Sequence, residues 1–380
     1  MALAALAALA QLAGCAVPDR SAAGAPELLY VARGPDGTIV RADARTGRPV
    51  GTPLPAGPAP AQLVVGRDGA LLVRSGGASR WGDLTYVVPS GGGPTARRVS
   101  LGEGGAAALL AGDGDRTAVV AYLPRGLEGL RGPGTGPAPA PCRLAVVDLA
   151  RGAVVGTHPA CAPGEQVTGL AVATDGAGTV AYLGLWRSGG PGRGGRGRIL
   201  ALDAASGAIQ AAAPLDGAPG DLGVGPAPDR PGPRLYVAVA TLEPEDDAAP
   251  DDTSRFGQAR GGRLLGLDAA TLAQERDHPL AGPPVWLTVA PDGRDAYALV
   301  RDGSGSAAGR LQRIDLTTGA ASLLGRARGL GLAGLAVTAD RLYVPDTFGD
   351  RLWIADRGGR PLGHVAVGRR PAAIALGAPR

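Results

Sequence analysis

The stretch RLYVPDTFGDRLWIADRGGRPLGHVAVGRRPAAIALG, residues 341–377, decides the fold. It predicts three short strands at 342–344, 351–355 and 362–367, and a fourth at 372–376 after a turn marked by proline. Short apolar runs bounded by Gly, Pro and Asp are typical of strands joined by tight turns. Copies of this unit, with variable insertions, account for nearly all of the chain after residue 26.

Six junctions of the form strand, tight turn, strand repeat along the chain and start at residues 61, 108, 168, 221, 286 and 332. Asp-Gly pairs in several of these turns favour two-residue hairpins, because both residue types tolerate positive φ. The first unit, at Leu28, lacks its leading strand, whereas the C-terminus has one strand to spare at 372–376. Giving the spare strand to the first unit closes a ring and removes exposed sheet edges.

The sequence therefore predicts an all-β fold over residues 27–377. We expect a single seven-bladed β-propeller with four-stranded antiparallel blades, its ends latched by the C-terminal strand. A count of six or eight blades stays open, because the second unit, residues 71–110, has the weakest pattern.

The third strand of six of the seven units ends in aspartate. A carboxylate before a tight turn accepts hydrogen bonds from the turn amides, and its repetition around the ring indicates a structural part. These residues are Asp43, Asp148, Asp203, Asp268, Asp315 and Asp356.

These features resemble the YVTN-type β-propeller repeat. The matching residues are Leu29-Tyr30-Val31, Leu235-Tyr236-Val237 and Leu342-Tyr343-Val344, with the links Gly57-Pro58-Ala59-Pro60 and Gly368-Arg369-Arg370-Pro371. The chain departs from the pattern in lacking Asn and in its long insertions. The resemblance implies the propeller fold, but it does not specify a function, because such folds carry many.

Residues 1–15, MALAALAALAQLAGC, resemble a bacterial lipoprotein signal that ends in a lipobox. The resemblance implies that Cys15 becomes the lipid-modified N-terminus, that residues 16–26 are a tether, and that the protein is exported and membrane-anchored outside the cytoplasm. No Lys or Arg precedes the apolar run, which departs from the usual signal. The alternative is a short apolar helix on a soluble protein.

Cys142 and Cys161 bracket two apolar strands around the turn at residues 150–152. Counting outward from the turn, the two residues face each other across the hairpin, where a disulfide fits. An oxidising compartment agrees with export. The alternative is two free buried cysteines.

Composition gives little support for a nucleic-acid partner. The net charge is only +4 over 380 residues, all the basic residues other than His are Arg, and no basic run carries interleaved aromatics. No Gly-rich segment matches a phosphate-binding loop, and we expect no cofactor. His158, His278 and His364 fall in the outermost strands of three different blades, which argues against a shared metal site.

The long insertions all open on one face, at 75–83, 124–142, 186–198, 242–263 and 301–310, and binding sites usually lie on such loops. Two tryptophans are placed in these loops and several arginines in the loops and links. The candidate binding residues are Trp81, Trp186, Arg187, Arg193, Arg196, Arg326, Arg328, Arg369 and Arg370. An acidic cluster is a weak candidate for a Ca²⁺-binding site, and the alternative is that these residues belong to solvated loops. The cluster comprises Asp246, Asp247, Asp251 and Asp252.

The first functional hypothesis is a monomeric, non-catalytic, lipid-anchored scaffold whose loop-rich face binds a protein or a cell-envelope polymer. The second is a lactonase-like or other propeller enzyme with a site at the channel mouth. No His accompanies the arginines of the links, which disfavours the enzyme. The third is a structural envelope component without a discrete ligand.

Overall fold

The structure is a computed structural model of the chain. It describes residues 27–76, 82–90, 93–102, 106–124, 141–175, 178–187, 195–241, 261–302, 309–327 and 334–377. Every regular element within these residues is a β-strand, and the strands form seven four-stranded antiparallel sheets. The predicted all-β, seven-bladed propeller is confirmed. The described residues contain no helix long and apolar enough to cross a membrane.

The first strand of each blade lies at the centre of the ring and the fourth at its rim. Blade 1 combines β28 (Pro371–Gly377), β1 (Leu28–Arg33), β2 (Thr38–Asp43) and β3 (Leu54–Pro55). Blade 2 comprises β4 (Pro60–Val65), β5 (Leu71–Ser75), β6 (Leu84–Val88) and β7 (Thr95–Val99). Blade 3 comprises β8 (Ala106–Gly112), β9 (Thr117–Leu123), β10 (Arg143–Asp148) and β11 (Ala153–Pro159). Blade 4 comprises β12 (Glu165–Asp175), β13 (Gly178–Arg187), β14 (Arg196–Asp203) and β15 (Ile209–Leu215).

The remaining three blades follow the same order. Blade 5 comprises β16 (Ala218–Pro226), β17 (Pro233–Thr241), β18 (Gly261–Asp268) and β19 (Gln274–Leu280). Blade 6 comprises β20 (Pro284–Val289), β21 (Asp295–Arg301), β22 (Gly309–Asp315) and β23 (Ala321–Ala327). Blade 7 comprises β24 (Ala336–Val337), β25 (Arg341–Asp346), β26 (Arg351–Asp356) and β27 (Pro361–Ala366).

The ring is closed by the C-terminal strand, as predicted. β28 pairs antiparallel with β1, so that Leu376 lies opposite Leu29 and Ile374 opposite Val31. The innermost strands contact one another in turn around the ring, and β28 contacts both β24 and β4. Pairing with β28 gives β1 a neighbour on its inner side, so that β1 is not left as an exposed edge strand.

Each gap between neighbouring blades is filled by its own apolar cluster. The cluster that seals the ring between blades 7 and 1 includes Leu29, Val31, Tyr343 and Leu352, all nearly or fully buried. Second strands are covered on both faces, which explains their continuous apolar runs: β17 is buried from its second to its eighth residue. The outermost β15 has no buried residue.

One predicted strand is much shorter in the structure. The sequence predicts a fourth strand in blade 1 over residues 48–54, whereas β3 covers only Leu54–Pro55. An isolated bridge joins Ala42 and Pro49 just before it. Pro49 and Pro53 have no backbone N–H to donate to a ladder, so this outer edge pairs only intermittently.

Candidate functional site

The two ends of the propeller are built differently. At one end, strand one of each blade is joined to strand two, and strand three to strand four. We call this end the turn end. The opposite end, where strands two and three are joined and consecutive blades are linked, is the loop end. Antiparallel pairing places every long insertion at the loop end.

The turn end is fixed by the repeated aspartates. Asp203 accepts hydrogen bonds from the Ser206 backbone N (2.7 Å) and Oγ (2.6 Å). Asp315 accepts from the backbone N of Thr317 (2.9 Å) and Thr318 (2.8 Å). The Thr318 amide bond lowers the pKa of Asp315 below its usual value. The same kind of bond is made by Asp43, Asp148, Asp268 and Asp356. The predicted structural role is confirmed.

Tyrosine hydroxyls join neighbouring blades at the turn end. Tyr182 donates to the carbonyl of Ala269 (3.0 Å), and Tyr297 donates to that of Arg357 (3.0 Å). Tyr86 makes the equivalent bond to Leu149 (2.7 Å), and Tyr343 to Ala44. In each case the acceptor is the residue after the third strand of the next blade. These bonds join four of the seven pairs of neighbouring blades at the turn end.

Much of the loop end lies outside the described residues. Several predicted site residues also lie outside the described residues: Trp81, Arg193, Arg328, the acidic group Asp246, Asp247, Asp251 and Asp252, and the lipidation candidate Cys15. The roles proposed for them stay predictions. Among the described residues, no group of three or more His, Cys, Asp or Glu is placed to hold a metal ion.

Trp186 is placed differently from the prediction. The sequence puts it in a variable loop, but it lies in β13 and is only 7% exposed. Its ring packs against Ala218 and Ala240 of blade 5. The loop placement is wrong because β13 and β14 extend further than expected, pairing Trp186 with Gly197.

The described arginines of the candidate set do not converge. Arg187 and Arg196 are exposed and directly opposed across β13 and β14 of blade 4. Arg326 was expected on a link, but it lies in β23, the outermost strand of blade 6, opposite Arg310. That placement was wrong because β23 continues to Ala327. Arg369 and Arg370 lie on the link from blade 7 to blade 1 and are exposed.

A disulfide joins Cys142 and Cys161 at the loop end of blade 3. Both residues are buried, at 3% and 8% exposure. The pairing of these two cysteines agrees with the prediction, but their register is offset by one. Continued past the Arg143–Pro159 pair, the strand register places Ala160, and not Cys161, opposite Cys142, and the Ala160 backbone N donates to the Cys142 carbonyl (3.1 Å).

The histidines lie where the sequence predicts, in β11, β19 and β27, the outermost strands of three blades. His158 and His278 pack against the turn glycines Gly207 and Gly319 of the next blade. This packing gives both histidines a structural role.

Polar side chains that no sequence pattern marks out join inner strands. Asp221 of blade 5 accepts a bond from the Leu287 backbone N of blade 6 (2.8 Å), and burial raises its pKa to about 7. Gln62 of blade 2 similarly accepts from the Leu110 backbone N of blade 3 (3.2 Å). Both acceptor residues lie beside a bulge in their own strand. Each bond depends on the next blade, so no pattern within one repeat unit predicts it.

Phe348 is a second feature that sequence reasoning missed. It lies in the short turn between β25 and β26 at the loop end and is 67% exposed. Its sequence signal is an aromatic residue inside the turn Asp346-Thr347-Phe348-Gly349-Asp350, where polar residues are usual.

No protein-family model and no curated protein matches the chain. Solved structures do match it. A functionally unknown protein from Desulfotomaculum acetoxidans is 14% identical, with a TM-score of 0.59 over 93% of this chain and 99% of that one. The hydrazine synthase of Kuenenia stuttgartiensis is 16% identical, with a TM-score of 0.58 over 87% and 96%.

A third match is a proposed 6-phosphogluconolactonase from Bacteroides fragilis, 12% identical, with a TM-score of 0.54 over 93% of this chain and 98% of that one. The names of these three proteins point to different activities or to none. At such low identity the matches show that the chain has the propeller fold, and function has to be argued from its own surface.

Proposed function

We propose that this protein is an exported, lipid-anchored β-propeller that acts as a non-catalytic scaffold and binds its partner through the loop end. The observation that carries the proposal is the asymmetry of the two ends. Among the described residues, the turn end carries short, hydrogen-bonded turns, whereas the strands that flank the insertions at 77–81, 125–140, 188–194, 242–260 and 303–308 meet them at the loop end. Rigid scaffolds commonly present binding residues on such loops.

Membership of the YVTN-type repeat is part of the proposal. It is supported by the recurrence of one link geometry: Gly57 and Ala59 have φ of 80° and 46°, and Gly368 and Arg370 have 94° and 47°. The tyrosines of the repeat also occupy equivalent places in their second strands, as Tyr236 and Tyr343 do.

Anchoring through Cys15 is the second part. Metabolic labelling with an alkyne fatty acid tests it: the wild-type chain should take up label and partition with membranes, and Cys15→Ser should do neither. Equal labelling of the two chains would remove the anchor from the proposal.

The scaffold is tested by capture. The full chain is compared with a variant in which residues 188–194 and 242–260 are replaced by short Gly-Ser turns, which leaves every described strand intact. A partner from solubilised host envelope that binds the wild type and is lost from the variant supports the proposal. Capture of nothing by either chain overturns it, and lactones and sugars would then be screened as substrates.

A further inference from the structure

Three exposed side chains form a compact surface at the loop end, where blade 7 meets blade 1. Phe348 lies in the turn after β25, and Arg369 and Arg370 lie on the link before β28. We call these three residues the Phe348 patch. The backbone that carries it is held in place by hydrogen bonds.

The turn and the link are joined to each other and to blade 1. Thr347 Oγ1 donates to the Pro371 carbonyl (2.7 Å), and the Arg370 backbone N donates to Asp350 Oδ1 (2.8 Å). The Gly34 backbone N then donates to the Arg370 carbonyl (3.0 Å). A surface held in this way loses little backbone freedom when a partner binds.

The conformation of the link does not require arginine. The link from blade 1 to blade 2 has nearly the same φ values at its glycine and at the residue before its proline, although its middle residues are Pro58 and Ala59. The positive φ of Arg370 therefore belongs to the repeated link and is not specific to this surface. The two guanidinium groups are additions to a structural part that forms without them.

The Phe348 patch and its charged neighbours carry a net positive charge. Of the neighbouring charged groups, Arg33 pairs with Asp36 (3.1 Å) and Arg351 pairs with Asp346 (3.0 Å). The Asp350 carboxylate accepts the Arg370 backbone amide and keeps its negative charge, which offsets one of the two arginine charges. Neither Arg369 nor Arg370 forms an ion pair with any residue in the described ranges, so both side chains present free positive charge to solvent.

The exposed ring is unusual in its position. Four other large exposed apolar side chains, Val155, Ile209, Leu323 and Leu362, lie in outermost strands at the rim. Phe348 is the one large exposed apolar side chain at the loop end among the residues described. Aromatic residues and arginine are the types enriched at protein interfaces and their energetic centres.

We infer that the Phe348 patch binds a partner protein through an acidic segment that also offers an apolar pocket or side chain to the Phe348 ring. The inference rests on the proposed scaffold function and specifies its partner. A second copy of this chain docked patch to patch does not fit, because the patch would meet its own positive charge. An anionic polymer would satisfy the arginines but would leave the ring without an apolar contact.

The first test uses three fluorescein-labelled 12-residue peptides, which alternate Glu with Leu, Glu with Ser, and Lys with Leu. The patch variant is Phe348→Ser, Arg369→Pro, Arg370→Ala, which gives the link the sequence of residues 57–60. The matched control is Ile209→Ser, Arg48→Ala, Arg360→Ala, which removes one exposed apolar residue and two exposed arginines at the rim and the turn end.

Binding to the full-length chain is measured by fluorescence anisotropy at about 0.1 M salt. The Glu-Leu peptide should bind the wild type and the matched control alike and the patch variant at least tenfold more weakly. The Glu-Ser and Lys-Leu peptides should bind weakly throughout. Equal affinity for the patch variant and the wild type overturns the inference. So does equal binding of Glu-Ser and Glu-Leu, which would mean that charge alone is recognised.

The second test places a photo-reactive phenylalanine analogue at position 348 in cells and, as control, at 209. A cross-link from 348 to an acidic protein segment supports the inference. The inference is overturned by a cross-link to a polysaccharide, to a basic segment or to residues 242–260 of the same chain. It is also overturned if position 348 forms no cross-link. A partner lost on loop replacement but kept by the patch variant would leave the scaffold function standing and overturn this inference alone.

Discussion

The hydroxyl of Tyr182 in blade 4 donates a 3.0 Å hydrogen bond to the backbone carbonyl of Ala269 in blade 5. Both groups are buried, and the bond crosses the gap between two sheets that share no backbone pairing. Tyr236, at the equivalent place in blade 5, is fully buried, but its hydroxyl lies beside the Arg234 guanidinium and donates no hydrogen bond to a carbonyl of the next blade within the described residues. The two tyrosines therefore form a natural comparison.

Tyr182→Phe should lower the free energy of unfolding by about 1–3 kcal/mol, because it leaves a buried carbonyl without a donor. Tyr236→Phe should lower the free energy of unfolding by less than Tyr182→Phe, since the Tyr236 hydroxyl makes no hydrogen bond to the next blade. Urea unfolding followed by tryptophan fluorescence measures both. Equal losses in the two variants would show that the hydroxyl bond contributes nothing measurable.

Stability should fall at high pH. Burial raises the pKa of Tyr182 and of Tyr343 to about 12, whereas an exposed tyrosine ionises near pH 10. Between these values the unfolded chain loses protons that the folded chain keeps, so the free energy of unfolding decreases as pH rises. Each tyrosine contributes a slope of at most about 1.4 kcal/mol per pH unit. Unfolding at pH 9, 10 and 11 measures it, and Tyr182→Phe should flatten it.

Asp221 should make the free energy of unfolding depend on pH in a different range. With its pKa raised to about 7 by burial, the folded chain holds a proton that the unfolded carboxyl loses near pH 4. The free energy of unfolding should therefore decrease from about pH 4 to about pH 7. Asp221→Asn keeps an oxygen that can accept the Leu287 amide, and its side chain does not titrate. The free energy of unfolding of the variant minus that of the wild type should therefore increase from about pH 4 to about pH 7.

The control for that experiment is Asp216→Asn, which changes an exposed carboxylate. It should leave the pH profile of the wild type unchanged. A constant difference between Asp221→Asn and the wild type from pH 4 to pH 8 would contradict the prediction.

Asp315→Ala should destabilise the chain by about 1–2 kcal/mol at pH 7, because the amides of Thr317 and Thr318 lose their shared acceptor. Asp315→Asn retains an oxygen and should recover part of the loss. The pKa of Asp315 is lowered in the fold, so the stability it adds is present above about pH 4 and is lost as pH falls. Urea unfolding at pH 7 and pH 3 would show whether the deficit of the Ala variant shrinks in acid.

Removing the disulfide should cost about 3 kcal/mol, as expected for a cross-link between residues 19 apart in sequence. The double variant Cys142→Ser, Cys161→Ser should unfold at the same urea concentration with or without dithiothreitol. The wild type should move to that concentration when reduced. A wild type that is insensitive to reduction would count against a stabilising role for the bond.

The fold could be predicted from the sequence because its signals are local and repeated. The first unit, which starts at Leu28, lacks one strand, and the strand that ends at Gly377 supplies it. Each Asp before a turn accepts hydrogen bonds from backbone amides within four residues of itself. Such features depend on a few neighbouring residues, and seven copies reinforce one another.

The candidate site was harder to predict because its features depend on contacts between blades. Trp186 reads as a loop residue, but its burial is set by Ala218 and Ala240 of the next blade. Arg326 reads as part of a link, but the length of β23 is set by its pairing with β22. Asp221 and Phe348 gave no repeated signal, since each occurs in one blade only.

The way the chain enters blade 1 gives the molecule an orientation. Leu28, the first residue of β1, lies opposite Asp43, which begins a tight turn at the turn end. The chain therefore enters β1 at the turn end. The last strand ends at the same end, because Gly377 lies opposite Leu28. A tether of residues 16–26, fully extended, reaches at most about 40 Å. If Cys15 carries a lipid, the turn end faces the bilayer and the loop end, with Phe348, faces outward. The partner would then approach from the side away from the membrane.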